Sequence, residues 1–199
     1  MMKVEWISKP WEHFEVKGFV SSEELSTLRD YFETLSVPDG VTPLESIEGK
    51  QYQMDGIPDV TKYRHNLCIH PGNWRNDPIT KMLCERFIEL LKIVHEWNTK
   101  YEIHVEYDRI YPGFQGKIHN DYHTKVLAFI LHVSEQGHGT RLYENYDGSG
   151  NKRTIKWIPG GGGGFFGSRN TSHHRFDTLD DSTVRNTVML TCRKKENNL

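Results

Sequence analysis

Residues 101–108 read Tyr-Glu-Ile-His-Val-Glu-Tyr-Asp, with an apolar or aromatic side chain at every second position. In an extended chain, alternate side chains point to opposite faces, so this pattern predicts a half-buried β-strand. Further stretches that favour strands follow at residues 125–133, 140–144, 153–158, 164–167 and 184–192. The second half of the sequence therefore predicts a mainly β structure.

Two helices are predicted before these strands. Ser21 and Glu24 have the spacing of a capping box, and apolar side chains recur at helical spacing after them, up to a Pro-Asp-Gly stop at residues 38–40. Asp77-Pro78 is typical of a second helix start, and an apolar stripe follows as far as about residue 97. Helices followed by short strands favour an antiparallel β-sandwich or barrel backed by N-terminal helices, an α+β arrangement, over alternating βαβ units.

Composition limits the class of protein. The 199 residues suit a single domain, and the formal charge of −2 lacks the basic excess of a dedicated nucleic-acid binder. Hydrophobic residues make up 36% of the chain, enough for a sizeable core. The three widely spaced cysteines do not indicate a disulfide framework, and no apolar stretch has the length of a membrane span or signal peptide. We therefore expect a cytoplasmic protein that does not bind membranes.

We expect one domain over residues 1–199, with helical support in 1–99 and the β core in 100–193. Within the support, residues 41–76 are rich in proline and glycine, which predicts a long irregular segment. That segment is either a lid over a binding site or a loop packed on the core. The glycine run at 160–164 lacks the Lys-Ser/Thr of a phosphate-binding loop, so we interpret it as a tight turn that allows close backbone packing.

A candidate metal motif follows the first strand of the core. His119 and Asp121 are two residues apart, so in extended chain both side chains reach the same face. A third ligand could come from the His173-His174 pair in residues 170–176. Two imidazoles and a carboxylate would leave three positions of an octahedral ferrous ion open. The simpler interpretation of His119 and Asp121 is a hydrogen-bonded surface pair.

The last predicted strand carries a candidate carboxylate clamp. Arg185 and Thr187 share one face of this strand, while apolar side chains occupy the other. A guanidinium offers a planar pair of donors to a carboxylate, and a hydroxyl adds another hydrogen bond. Taken alone, the pair is more simply interpreted as an arginine beside a threonine on a sheet surface.

Together these residues resemble the iron(II)/2-oxoglutarate-dependent oxygenases of the double-stranded β-helix fold, also called jelly-roll or cupin-like. The pattern of that superfamily is His-x-Asp, a distal His, then Arg-x-Ser/Thr, filled here by His119, Asp121, His174, Arg185 and Thr187. The compact spacing and the Tyr-Pro-Gly at residues 111–113 are similar to the prolyl-hydroxylase-like branch. The resemblance covers roughly residues 100–193.

The resemblance implies a dioxygenase with Fe(II), 2-oxoglutarate and O2 as cofactor and cosubstrates. His119, Asp121 and His174 would hold the metal, and Arg185 and Thr187 would bind the far carboxylate of 2-oxoglutarate. Tyr111 would be a further donor in that pocket. The product would be a hydroxylated peptidyl or small-molecule substrate, with succinate and CO2 released. The superfamily's nucleic-acid demethylases carry a second arginine six residues after the first, where this chain has Thr191.

Several alternatives stay open at this stage. His174 is favoured over His173 because His174-Arg175-Phe176 places the ligand two residues before an apolar position, as in the superfamily. Lys125 could replace Arg185 as the carboxylate partner. His132 could line the cosubstrate pocket or be a core histidine. A zinc hydrolase that uses the same three ligands, or a non-catalytic jelly-roll metal-binding module, would also account for the motif.

Overall fold

The computed structural model describes residues 1–35, 64–69, 77–110, 118–121, 125–167, 172–175 and 184–195. These residues form two helices, α1 (Ser22–Thr34) and α2 (Pro78–Val94), and ten strands. The strands are β1 (Lys3–Ile7), β2 (His13–Lys17), β3 (Arg64–Ile69), β4 (Tyr101–Ile110), β5 (Lys125–His132), β6 (Arg141–Tyr143), β7 (Lys152–Thr154), β8 (Gly162–Phe166), β9 (His173–Arg175) and β10 (Arg185–Lys194). Neither helix has the combination of length and apolar character that crossing a membrane requires.

The strands form two antiparallel sheets. The large sheet has seven strands in the order β1-β2-β8-β5-β10-β4-β3, and the small sheet has three in the order β7-β6-β9. Strand β10 lies in the interior of the large sheet, next to the central strand β5, and pairs with β4 on one side and β5 on the other. The mainly β, antiparallel structure predicted from the sequence is confirmed.

The helices cover one face of the large sheet. Phe87, Leu90 and Leu91 of α2 are fully buried with Phe129 of β5 and Leu190 of β10. Burial of each such side chain contributes about 1.5–3 kcal/mol. This packing is the main apolar core of the described residues, and it leaves the opposite face of the sheet turned away from the helices.

The opposite face packs against the small sheet. Ala128 of β5 and Phe165 of β8 form a buried apolar cluster with Leu142 of β6 and with Ile155. Because Ala128 belongs to the large sheet and Leu142 to the small one, this cluster marks the space where the two sheets face each other. We call this space the inter-sheet space.

Both predicted helix starts are confirmed. Ser21 caps α1 in a reciprocal capping box with Glu24. The Asp77 carboxylate caps α2 by accepting hydrogen bonds from the backbone N–H groups of Ile79 and Thr80. Asp77 also accepts a hydrogen bond from the Tyr31 hydroxyl of α1, at 3.0 Å. The cap at Asp77 therefore links the two helices as well as starting α2.

The structure corrects three element predictions. Residues 1–17, included in the helical support expected over 1–99, form the hairpin β1–β2 at one edge of the large sheet. The strand predicted at 153–158 ends at Thr154, because Ile155 turns into the inter-sheet cluster. The segment 41–76, expected to be irregular, contains strand β3, which pairs with β4. The rest of that segment lies outside the described residues, so its role as a lid stays a prediction.

The glycine run combines a turn with a strand. Gly160 has a φ of +72°, in the left-handed region that favours glycine. Gly162, Gly163 and Gly164 are strand residues of β8 between β2 and β5, where an added Cβ would collide with a neighbour. The predicted close backbone packing is thus observed, but mostly within the sheet.

We expect Gly162→Ala to lower the free energy of unfolding by about 1–3 kcal/mol, because its Cβ would overlap the Ile130 carbonyl oxygen of the adjacent strand. Urea denaturation followed by far-UV circular dichroism would measure the change. Lys92→Ala, on the exposed side of α2, is the control and should change stability by less than about 0.5 kcal/mol. Equal stability of Gly162→Ala and wild type would show that the strand tolerates the methyl group.

Candidate metal centre

His119, Asp121 and His174 lie together at the inter-sheet space. One potential ligand atom from each residue lies within 4.8 Å of the others. Two antiparallel backbone hydrogen bonds of 3.0 Å join His119 and His174, so the two imidazoles sit side by side with ring centroids 4.4 Å apart. Two imidazole nitrogens and a carboxylate oxygen form a donor set suited to Fe(II), Zn²⁺ or Ni²⁺.

Strand alternation decides which of the two adjacent histidines joins this cluster. His174 lies opposite Leu142 in the β6–β9 pair and therefore shares its inward face. Its ring centroid lies 4.6 Å from that of Phe165 in the large sheet. His173 points to the other face, where its ring meets the edge of Tyr146. His174 is thus the histidine of this pair that the structure brings to the cluster.

The protonation state of His174 suits a ligand. Its Nδ1 lies 2.8 Å from the Ser172 carbonyl oxygen, which can only accept, so Nδ1 carries the hydrogen and Nε2 keeps its lone pair. Burial, reinforced by neighbouring His119, lowers the pKa of His174 to about 4. At neutral pH the imidazole is uncharged, as metal ligation requires.

Asp121 is held by a buried lysine. The Lys125 ammonium donates to Oδ1 of Asp121 at 2.7 Å, and both side chains are at least nine-tenths buried. Burial acts against ionisation of Asp121, but the charge of Lys125 outweighs it and holds the pKa of this carboxyl below its ordinary value. The second oxygen, Oδ2, is buried and has no hydrogen-bond partner among the described residues. Asp121 therefore presents an ionised oxygen that suits a cation.

A second polar cluster lines the same space. Thr187 of β10 lies opposite His132 of β5, on the face of β5 that also carries Ala128. Arg185, two residues from Thr187 along β10, shares that face and is 2% exposed. Its guanidinium carbon lies 5.3 Å from the centroid of the Trp157 ring, within the range of a cation–π contact.

His132 contributes a buried donor to this second cluster. The Ile158 backbone N–H donates to Nδ1 of His132 at 3.1 Å, which places the hydrogen of the neutral ring on Nε2. The ring stacks on Trp157 with centroids 4.1 Å apart. Burial, and then the charge of Arg185, lower the pKa of His132 to about 3, so the ring is neutral. Nε2 is buried without a hydrogen-bond partner among the described residues.

Some site residues could not be found, or assigned, from the sequence. Lys125 was considered as a carboxylate partner in place of Arg185, but its ammonium bonds to Asp121. The sequence gives no signal for Trp157, because its contacts with His132 and Arg185 join residues that are far apart along the chain. Tyr111, predicted as a further donor, lies outside the described residues.

Known structures provide an independent comparison. No protein-family model matches the chain, and no curated protein matches its sequence. The solved structures of similar fold include a viral collagen prolyl hydroxylase from Paramecium bursaria Chlorella virus-1 in complex with 2-oxoglutarate. That enzyme is 14% identical, with a TM-score of 0.55 over 92% of this chain and 96% of its own.

Two further solved structures have a similar fold. The dioxygenase for auxin oxidation 1 from Arabidopsis thaliana, also a 2-oxoglutarate complex, is 13% identical, with a TM-score of 0.59 over 95% of this chain and 85% of its own. HygX from Streptomyces hygroscopicus, with nickel and 2-oxoglutarate bound, is 10% identical, with a TM-score of 0.63 over 92% of this chain and 83% of its own. The chain has the fold of the 2-oxoglutarate-dependent oxygenases. In this oxygenase fold, His119, Asp121 and His174 occupy the space between the two sheets.

The buried histidines make the stability of the metal-free protein depend on pH. The pKa values of His132 and His174, about 3 and about 4, lie below the ordinary value of about 6.5. Between pH 4 and 6.5 the unfolded chain therefore binds more protons than the folded one. We expect the free energy of unfolding to fall as the pH is lowered through this range, by up to about 1.4 kcal/mol per pH unit for each histidine.

Denaturation of metal-free protein at several pH values between 5 and 7 would test this expectation. His132→Asn should reduce the pH slope by about 1 kcal/mol per pH unit near pH 5.5, because one neutral buried imidazole is lost. His138→Gln, at an exposed position, is the control and should keep the wild-type slope. An unchanged slope in His132→Asn would mean that this ring is protonated as readily in the folded as in the unfolded chain.

Proposed function

We propose that this protein is an iron(II)- and 2-oxoglutarate-dependent dioxygenase that hydroxylates a peptidyl or small-molecule substrate. The observation that carries the proposal is that the His119–Asp121–His174 cluster and the Arg185–Thr187 pair face the same inter-sheet space. We further propose that the two sheets are the halves of a jelly-roll barrel, with residues 100–193 as its core, in a single domain over residues 1–199.

The donor set fits a ferrous ion. A neutral imidazole at His174, an ionised carboxylate at Asp121 and the adjacent ring of His119 would bind one face of an octahedral metal and leave the other face for cosubstrate and O2. Lys125 would orient Asp121 and keep it ionised before the metal binds. Such outer partners of metal ligands commonly affect metal affinity 10–100-fold.

The second cluster fits the far carboxylate of 2-oxoglutarate. Arg185 would provide the charged donor, Thr187 a hydroxyl and His132 its Nε2–H. The cosubstrate carboxylate would thereby accept a hydrogen bond from Nε2 of His132, which is buried without a partner among the described residues. Trp157, in contact with both Arg185 and His132, would fix their orientation. His132 must stay neutral with its hydrogen on Nε2 for this role, as its pKa and its hydrogen bond from Ile158 favour.

With Fe(II), 2-oxoglutarate and O2 bound, the site would couple oxidative decarboxylation of the cosubstrate to succinate and CO2 with hydroxylation of the substrate. The chain's own part is positioning and exclusion of water. Phe165 packs against His174, and Leu142 and Ile155 close the apolar side of the inter-sheet space. Polar interactions in such a dry site are stronger than in water.

Two other functions explain less of the site. A zinc hydrolase could use the same three ligands to activate water, but it gives no reason for Arg185, Thr187 and His132 to be buried on one face. A non-catalytic jelly-roll module would need neither Lys125 beneath Asp121 nor a second polar cluster. Each would bind metal without a specific requirement for 2-oxoglutarate.

The choice of distal ligand is tested by two neighbouring alanine variants. We expect His174→Ala to weaken ferrous iron binding by more than about 100-fold, because it removes a ligand rather than an outer partner. His173→Ala, the matched control on the opposite face of β9, should bind iron like wild type. Anaerobic competition with a chromophoric chelator measures both, and the reverse order would overturn the assignment.

The carboxylate clamp is tested by its effect on 2-oxoglutarate. We expect Arg185→Gln to raise the KM for 2-oxoglutarate by about 10–100-fold with iron affinity unchanged, since a charge-assisted hydrogen bond contributes about 1.5–3 kcal/mol. Succinate formation measured by proton NMR gives the KM. Arg193→Gln, at the other end of the same strand, is the control. An unchanged KM in Arg185→Gln would show that the cosubstrate carboxylate binds elsewhere.

A further inference from the structure

A polar cleft of about 520 Å³ lies on the outer face of the small sheet. Its walls come from the three strands of that sheet, from Ile118 and from the loop between β6 and β7. Ile118 precedes the metal-site residue His119, and its side chain faces the cleft. The cleft is therefore a second site, whose lining includes none of the three residues of the candidate metal centre.

Strand alternation gives the two faces of the small sheet different chemistry. His174 and Leu142 point inward, so their neighbours Arg175 and Arg141 point outward. Lys152 of β7 lies opposite Tyr143 of β6 and shares the outer face. The face that is turned away from the metal site thus carries three cationic side chains, all of which line the cleft.

Two of these cations are direct cross-strand neighbours. Arg141 and Arg175 are register partners, which places their Cβ atoms about 4.5–5.5 Å apart. An anion placed between them could accept hydrogen bonds from both guanidinium groups. The cleft-lining carboxylate among the described residues is Asp147, which accepts a hydrogen bond from the Ser149 backbone N–H. The cleft is therefore cationic in a chain whose formal net charge is −2.

The ring of Tyr143 contacts two of the three cationic side chains. The Tyr143 ring is 4% exposed, with the Arg175 guanidinium carbon 5.5 Å from its centroid and the Lys152 nitrogen 5.9 Å from it. Both distances are within the range of cation–π contacts. Such contacts restrict where the two side chains can place their donors. The donors are thereby held over one patch of the cleft floor.

The loop wall of the cleft is preformed. The Asn151 backbone N–H and side-chain amide both donate to the Glu144 carboxylate at 2.8 Å, which closes the loop. Gly148 has a φ of +80°, and a Cβ built on it would lie 3.1 Å from Cδ1 of Ile118. The loop therefore approaches the cleft floor at a position where glycine suits both the backbone conformation and the available space.

We infer that this cleft is an oxyanion-binding site, which takes a phosphate or carboxylate group between Arg141, Arg175 and Lys152. Arginine forks match the geometry of both anions and bind them through paired hydrogen bonds. The Thr154 hydroxyl, at the end of β7, adds a neutral donor to the lining. The inference does not depend on the proposed oxygenase activity, because none of these side chains belongs to the metal centre.

Anion titrations of the metal-free full chain, followed by ¹H–¹⁵N NMR at constant ionic strength, would test this inference. Inorganic phosphate or acetate should shift the amides of residues 141–154 and 173–175 in a saturable way. The anion that binds more tightly identifies the preferred group. Arg141→Gln and Arg175→Gln should each raise the phosphate Kd about tenfold. Lys92→Gln, on the far side of the helical layer, is the control and should bind like wild type.

Three results would overturn the inference. The first is the absence of saturable shifts with either anion. The second is an equal loss of affinity in Lys92→Gln, which would indicate general charge screening. The third is a set of shifts confined to residues around Arg185 and His132, which would place the anion in the inter-sheet space. Circular dichroism of the arginine variants would establish that they are folded. The metal-free protein keeps the result separate from any failure of the proposed activity.

Discussion

The two backbone hydrogen bonds between His119 and His174 determine how the residues of the candidate metal centre meet. They join segments that are far apart in the sequence, and they set the two imidazoles side by side at the edge of the small sheet. Because side chains alternate along a strand, this register sends His174 inward and Arg175 outward. The inward face meets the large sheet through Leu142, Phe165 and Ala128. The His119–Asp121–His174 cluster and the outer cationic cleft follow from this register, whereas Arg185 and Thr187 are placed by the pairing of β10 with β5.

Burial controls the charge states that the proposed chemistry needs. His174 and His132 are kept neutral, each with its hydrogen on the nitrogen that its backbone contact selects. Asp121 is kept ionised by a buried lysine. The fold alone thus prepares a neutral imidazole, an ionised carboxylate and a neutral hydrogen-bond donor. The two neutral histidines lower the stability of the fold at acidic pH, because they bind protons in the unfolded chain at pH values where they do not in the folded chain.

Local patterns in the sequence predicted the parts of the structure that local physics decides. The caps at Ser21 and Asp77 and the strand that begins at Tyr101 each depend on neighbours within a few residues, and all three are observed, although burial alternates in the strand only as far as Val105. The hairpin β1–β2 was not predicted, although polar and apolar side chains alternate in Lys3-Val4-Glu5-Trp6 and in His13-Phe14-Glu15-Val16. The pairing of Lys125 with Asp121 and the stacking of Trp157 on His132 depend on how the chain folds back, which spacing alone does not reveal. The roles of His119, Asp121, His174, Arg185 and Thr187 stay predictions from their pattern, now with a geometry that suits them.

The most direct test is an anaerobic titration of metal-free protein with ferrous iron and then 2-oxoglutarate, followed by visible absorption. Chelation of the metal by the keto acid produces a charge-transfer band that neither component shows alone. We expect the band to appear with wild type at stoichiometric iron. We also expect Arg185→Gln to need about 10–100-fold more 2-oxoglutarate to reach the same absorbance. Iron binding without the band, at saturating 2-oxoglutarate, would instead indicate a metal site with different chemistry.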